Sequence, residues 1–554
     1  MTAVPGGASE ARWELGGYRA AVDERLAAWS RERAVERLWR SDPSLWPAAP
    51  AAEPADRLGW LSAPEVGAAR ADELRAFAEG VRADGVEHIV LLGMGGSSLA
   101  SEVIARTLPR GRGAPELRVL DSTHPAAVRA CQDACPPGRT LYLVSSKSGT
   151  TLEPNAFLRY FWAAAGGAAA SRRFVAITDP GTPLEKLAKE RGFRACFGGP
   201  PDVGGRYSAL TVFGLVPAVL LGVDLDGLLA DARTMAARCR EPQPGANPGL
   251  ALAAALGELA RAGRDKLVLL TSPGLRAFPA WTEQLVAESL GKVGKGIVPV
   301  AACRTPEQVP SSPDVAIAYL ALDGETTPAV ERELAARASA GTPVLRFDVG
   351  SPAGLGAEFF RWEVAIAACG AVIGVDPFDQ PDVEFAKELA RRAMADAAAG
   401  ARSFEPYGEP VPASGPAGEA LRRWLASVRP RDYVAVQAFL APTDATGSAL
   451  DRLVDALRRR LGVVVTAGYG PRFLHSTGQL HKGGPPTGVF LQIVDEPAAD
   501  LPVPEMALSF ARILRAQARG DRTALESRQR RVYVANVAGA PEGGVARLAE
   551  LVAG

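Results

Sequence analysis

Short apolar runs that stop at glycine, serine, threonine or aspartate recur along this chain, each followed by a stretch compatible with a helix. "HIVLLGMGGSS", "LRVLDST", "TLYLVSSKSGTT" and "RFVAITDPG" come first, separated by helical segments such as Leu99 to Thr107 and Pro154 to Ala165. Buried strands that alternate with helices build a parallel sheet covered on both faces. The rhythm therefore predicts a doubly wound α/β domain, over residues 61–240. It returns in "DKLVLLTSPG", "DVAIAYLALDG" and "TPVLRFDVG", with helices over Phe278 to Leu290 and Pro328 to Ala340, and this predicts a second α/β domain over 241–400. A third α/β block, 401–554, carries "DYVAVQAFLAP", "ALDRLVDALRRRLG", "GVVVTAGYG" and "TGVFLQIV". Periodicity alone does not decide whether it stands apart or completes the second domain. Residues 1–60 have helical spacing and end in the Pro/Ala-rich patch "WPAAPAAEPADR", which suggests a helical arm followed by a loop.

Composition narrows the ligand. Lysine plus arginine and aspartate plus glutamate both number 62 among 554 residues, so no excess of positive charge favours nucleic acid. The N-terminus lacks the basic start and apolar core of a secretory signal, and no run of about 18 apolar residues occurs, so a cytoplasmic protein without a membrane partner is expected. Cys131, Cys135, Cys196, Cys239, Cys303 and Cys369 lack metal-like spacing and read as reduced buried thiols, Cys131 with Cys135 being the one close pair.

Ligands of parallel sheets bind beyond the carboxyl ends of the strands, where helix N-termini favour anions. Two runs occupy that position. "GMGGSS", Gly93 to Ser98, reads G-x-G-x-x-S; it suggests a turn that lets a ligand approach the backbone, although a tight turn without a ligand gives the same pattern. "SSKSGTT" places five hydroxyl residues among seven, where a helix cap needs one. Short donors converging on one point suit the three terminal oxygens of a phosphate monoester. "PDVGGRYSALTVFG" brings Arg206 into an apolar neighbourhood, which a salt bridge or a bound anion would each explain. "TEQLVAESLGKVGKG" clusters Glu283, Gln284, Glu288, Lys292 and Lys295, with Gln284 and Glu288 on one helix face unless the face is merely solvated. "GVDPFDQPDVEFAKELA" adds Gln380 and Lys387. "RFLHSTGQLHKGG" sets His475 and His481 in a polar loop, where a histidine suits acid/base work.

Taken in order, "GMGGSSLA", "SSKSGTTLEP", "DVGGRYSALTVFG", "QLVAESLGK" and "FDQPDVEFAK" resemble the characteristic segments of the glucose-6-phosphate isomerase family over residues 90–390. The resemblance implies two sugar-isomerase domains, cofactor-free interconversion of glucose 6-phosphate and fructose 6-phosphate, and a dimer whose site takes a histidine from the neighbouring subunit. Carried onto this sequence, it implies that Ser146, Lys147, Ser148, Thr150 and Thr151 bind the phosphate, with Ser97 after the glycine turn. It further makes Glu288 the base, Gln284 its neighbour one turn earlier, and Arg206 the group that steadies charge on the enediol. Lys387 would lie near the ring oxygen, preceded by Gln380.

One departure concerns the histidine. In the family it precedes the "FDQ" segment; here the histidine loop follows it. That order resembles the isomerase half of proteins that join transaldolase to glucose-6-phosphate isomerase, without room for the transaldolase barrel. The "HSxGQ" context resembles that of the shorter bacterial isomerases, which implies that His475 opens the ring, with His481 as the rival. A non-catalytic sugar-phosphate sensor would keep the phosphate loop without needing Glu288 or His475. An isomerase that also takes mannose 6-phosphate would differ around C2, where Thr211, Gln284 and Leu290 are candidates.

Overall fold

The computed structural model describes residues 10–47, 56–382, 408–412 and 414–554. Strand β1 is Glu10–Glu14. Strands β2 (His88–Gly93), β3 (Glu116–Leu120), β4 (Thr140–Ser145), β5 (Phe174–Thr178) and β6 (Ala195–Gly198) form a first sheet in the order β3-β2-β4-β5-β6. Strands β7 (Lys266–Thr271), β8 (Val298–Val300), β9 (Val315–Leu322) and β10 (Val344–Val349) form a second, in the order β8-β7-β9-β10. Strands β11 (Glu409–Pro410), β12 (Tyr433–Phe439), β13 (Val464–Tyr469), β14 (Gly488–Val494) and β15 (Arg531–Asn536) form a third, in the order β13-β12-β14-β15-β11. The pairs inside these runs are parallel.

The three sheets share one winding. In each, the chain moves from a central strand to one side, crosses back over it, and continues outwards. The crossing leaves a crevice at the carboxyl ends of the central strand and the strand it returns to. In the first sheet those strands are β2 and β4, and their register pairs Gly93 with Ser145. "GMGG" and "SSKSGTT" therefore leave the sheet side by side.

The strands follow from their sequences. β4 and β5 are buried at every position and β2 at all but its first, as unbroken apolar runs require when helices cover both faces. The helices over Leu99–Thr107 and Phe278–Leu290 have the ends that periodicity predicts. Two features differ from expectation or resolve it. The described part of the N-terminal arm begins with β1, which pairs antiparallel with β10 at the edge of the second sheet. Five residues whose one large apolar side chain is Trp13 hold too short a pattern to read as a strand; the open edge of β10 supplies the partner. The third block builds its own sheet rather than extending the second. It is still continuous with the second sheet through a shared core, in which Val268, Val300 and Ile317 pack with Tyr433, Val464 and Phe490.

Candidate functional site

The loop after β4 runs into the N-terminus of the helix Leu152–Ala164. Its hydroxyls converge: Ser146 Oγ donates to Thr151 Oγ1 at 3.1 Å, and Ser148 Oγ lies 3.0 Å from Thr150 Oγ1. Gly149 turns the chain at φ +66°, and a Cβ there would meet the Leu184 nitrogen at 2.9 Å. Ser148 and Thr150 are exposed beside a helix N-terminus, whose free N–H groups favour anions, while Ser146 is buried beneath them. Lys147 is engaged elsewhere. Its ammonium pairs with Asp179 and donates to the Pro200 carbonyl at 3.0 Å, so it anchors the loop to the strand beside it.

The glycine turn lets other parts of the chain come close to its backbone. A Cβ on Gly96 would lie 2.1 Å from the Gly205 oxygen, and one on Gly95, where φ is +52°, would lie 2.5 Å from the His475 oxygen. These glycines admit other loops of the protein to the crevice. Ser97, on the same turn, is buried.

Arg206 is 3% exposed, and a buried guanidinium needs acceptors on every side. Its Nη1 donates to Glu288 Oε1 at 3.1 Å and Gln380 Oε1 at 2.9 Å; its Nη2 donates to the carbonyls of Pro377 at 2.6 Å and Asp379 at 3.0 Å; its Nε donates to Ser289 Oγ at 2.9 Å. Gln284, one turn before Glu288, donates from Nε2 to Glu288 Oε2 at 2.9 Å and to the His475 carbonyl at 2.8 Å. The helix Phe278–Leu290 thus presents a carboxylate held at both oxygens. Lys292, just past the helix end, donates to the Asp376 carbonyl and lies 2.6 Å from Asp379 Oδ1. Burial lowers the pKa of its ammonium to about 8, with Arg206 adding to the effect and Asp379 opposing it. Glu283, on the same helix, is pushed up to about 8 by burial against the pull of Arg472.

His475 comes from the third block, on the turn Arg472–His475. Its Nε2 lies 2.8 Å from Glu153 Oε1 of the same chain, and Gln517 Nε2 donates to that oxygen at 2.6 Å. Neither Glu153 nor Gln517 stood out in the sequence. Glu153 follows the hydroxyl loop by two residues and reads as an ordinary acid in a helix's first turn. A sequence cue exists in hindsight: the acid ends the same "SSKSGTTLE" run that carries the hydroxyls.

The structure separates the two histidines. His481 lies on the short helix Gly478–Gly483, 3% exposed, with its ring among those of Tyr433, Phe473 and Phe490 and its Nδ1 3.2 Å from Gln437 Nε2. Burial, with Lys482 and Arg530 nearby, holds its pKa well below the usual histidine range. Lys387 lies outside the described residues. Of the three residues considered for substrate breadth, Gln284 touches Glu288, Thr211 caps the helix Val212–Leu220, and Leu290 is fully buried in the core. Five cysteines are buried thiols as expected, whereas Cys196 is exposed, on the outermost strand of the first sheet. No described helix is long and apolar enough to cross a membrane.

A hydroxyl loop at the switch point of one doubly wound sheet, linked through Glu153, His475 and Gln284 to a carboxylate on a helix of the next, defines a protein of the sugar-isomerase class. The comparisons make this specific. A profile of the family described as phosphoglucose isomerase matches residues 58–302. Glucose-6-phosphate isomerase of Rubrobacter xylanophilus is 34% identical over 364 residues, which cover 56% of this chain and 83% of that one. The enzyme of the same name from Symbiobacterium thermophilum is 33% identical, with 60% and 85% covered. Among solved structures, a hypothetical protein of Thermus thermophilus is 28% identical with a TM-score of 0.61, covering 70% of this chain and all of that one. A glucose-6-phosphate isomerase from Chlamydia trachomatis shares the fold at 20% identity and a TM-score of 0.56, covering 68% of this chain and 86% of that one. The chain belongs to the phosphoglucose isomerase family.

Proposed function

We propose that the chain interconverts glucose 6-phosphate and fructose 6-phosphate through a cis-enediol. The observation that carries this reading is Glu288, held between Arg206 and Gln284 in the crevice that also receives the hydroxyl loop and His475. A sensor would keep the loop, but it would have no use for a buried carboxylate so arranged.

The phosphate binds to Ser146, Ser148, Thr150, Thr151 and the backbone N–H groups at the helix start, with Ser97 alongside. Being remote from the reacting carbons, it supplies binding energy that orients them. Sugar phosphates rest mainly as rings. His475, with Nε2–H given to Glu153, has Nδ1 to exchange a proton at the ring, and Lys387, assigned from the motif, serves the ring oxygen. Once the chain is open, Glu288 removes the proton from C2 of glucose 6-phosphate. The hydroxyl proton passes from O2 to O1, and Glu288 returns the carbon-bound proton at C1. A sugar carbon is far too weak an acid to ionise alone; the Arg206 guanidinium offers positive charge where the enediol oxygens become negative. Lys147 and Gln380 support this geometry by fixing the loop and the guanidinium.

A coupled assay tests the reading: fructose 6-phosphate is supplied and glucose 6-phosphate is detected by a dehydrogenase. Glu288→Gln should lower kcat by about 10²- to 10⁴-fold, the usual worth of a placed base. Turnover surviving in Glu288→Gln would sink the base assignment, and binding without any turnover in the unmodified protein would favour the sensor.

A further inference from the structure

His475 must be held on the first sheet although its own strands belong to the third. The Glu153 contact fixes a ring nitrogen, and the Gln284 contact fixes a carbonyl. Neither fixes the direction from which the turn Arg472–His475 enters. Arg472, at the opposite end of that single turn, reaches the other way. Its Nη1 donates to Asp121 Oδ2 at 2.7 Å, and its Nη2 donates to Glu102 Oε2 at 2.5 Å. Asp121 follows β3 directly, and Glu102 lies on the helix Leu99–Thr107 that the glycine turn opens. Both carboxylates are largely buried, their side chains 12% and 17% exposed. Glu102 has a second cation in Arg106, at 2.9 Å. Asp121 is tied to Arg472.

We propose that Arg472 is the positioning residue for His475: its fork, gripping Asp121 and Glu102, docks the histidine turn of the third block onto the first sheet and sets the distance from the imidazole to the sugar ring. The argument is geometric. A planar guanidinium that holds two carboxylates on different elements fixes orientation as well as distance, which an ammonium cannot do. One short turn separates it from His475, so a tilt at Arg472 moves the imidazole directly, and a misplacement of about 1 Å in a reacting group can cost about 10²-fold in rate. The proposal rests on the ring-opening role of His475.

The test uses the full-length protein with Arg472→Met, Arg472→Lys and His475→Ala, measuring kcat and KM with fructose 6-phosphate. The affinity for an open-chain five-carbon aldonate phosphate, which needs no ring opening, is measured beside them. Arg472→Met should lower kcat by about 10²-fold, matching the cost of a misplaced group, while KM and the affinity for the open-chain acid stay within about threefold of the unmodified protein, and Arg472→Lys should recover part of the loss. Asp121→Asn cuts one arm of the fork and gives the same reading if Arg472→Met does not fold. Adding Arg472→Lys to His475→Ala should lower kcat no further, since residues that act as a unit are not additive. A folded Arg472→Met or Asp121→Asn variant at full kcat overturns the positioning role alone. Loss of kcat together with affinity for the open-chain acid overturns it too, because the damage is then general. Full turnover in His475→Ala overturns the ring-opening reading itself.

Discussion

Glu153 lies two residues beyond Thr151, and its carboxylate joins the helix that follows the hydroxyl loop to the imidazole of His475. If that pairing orients the imidazole for ring opening, Glu153→Gln should lower kcat on fructose 6-phosphate by roughly 10²-fold, the lower end of what a placed acid/base is worth. KM should hold, because the hydroxyl loop is untouched. Steady-state kinetics in the coupled assay decide it; a raised KM at unchanged kcat would place Glu153 in phosphate binding instead. At this scale the sequence shows residue types but not partners. Glu288, Arg206 and Gln284 could be named because a motif frames each. Lys147 could be named as well, yet its ammonium turns out to hold Asp179, 32 residues further on and just past the end of β5. Likewise His475 and His481 look equivalent in "HSTGQLHKGG". Burial of one between aromatic rings depends on β12 and β14, which no local pattern reveals.

Among the elements, the segment from Asp376 to Asp382 is held by side chains from several others, Arg528 among them at 2.6 Å from Asp382 Oδ1. Arg206 takes two of its carbonyls, Lys292 a third, and Gln479 bonds Asp382 through its backbone N–H at 3.0 Å and its carboxylate at 2.8 Å. Because the ammonium of Lys292 has its pKa lowered to about 8, raising the pH through that value removes a charged clamp beside Arg206. kcat/KM should therefore fall on the alkaline side with a midpoint near pH 8. Unfolding does not account for such a fall as far as this group is concerned. A lysine whose folded pKa lies below its unfolded value of about 10.4 binds fewer protons folded than unfolded between the two, so its contribution to stability rises with pH across that window. The check is a pH profile of kcat/KM beside Lys292→Met, which should be low and flat between pH 7 and pH 9, roughly a unit to either side of that midpoint. A limb that persists in the variant assigns the ionisation elsewhere. Helix ends were readable where the apolar periodicity is unbroken, as at Phe278–Leu290. The histidine segment was not: it reads as a polar loop, but it folds as a turn and a short helix because Gln479 and Lys482 find buried partners in Asp382 and Asp521.

For the whole molecule, the third sheet is joined to both of the others, which explains how a late histidine comes to lie beside an early hydroxyl loop. Its helix Phe510–Ser527 packs Phe510 and Ile513 into the core of the first sheet, where Phe510 stacks on Phe157 at 5.8 Å, and supplies Gln517 to Glu153. Its strands share a core with the second sheet, in which Phe490 is fully buried. Periodicity could find three α/β blocks, because each strand and helix carries its own pattern. It could not show that the blocks have fused cores, because the residues responsible are ordinary apolar positions of their own elements. Fused cores predict that the second and third sheets unfold together. Phe490→Ala, a large-to-small change in that core, should cost about 3–5 kcal/mol. The loss should be felt equally by both sheets: amide exchange in β7 and β9 should accelerate as much as exchange in β12 and β14, since global opening exposes them in one step. Mass-resolved hydrogen exchange on those four strands distinguishes the cases. Acceleration confined to β12 and β14 would mean that the third sheet opens alone, and His475 would then leave the crevice without disturbing Glu288. Equal acceleration would mean that the histidine turn and the glutamate helix are lost and gained together, as a site shared between a third-block turn and a helix of the second sheet requires.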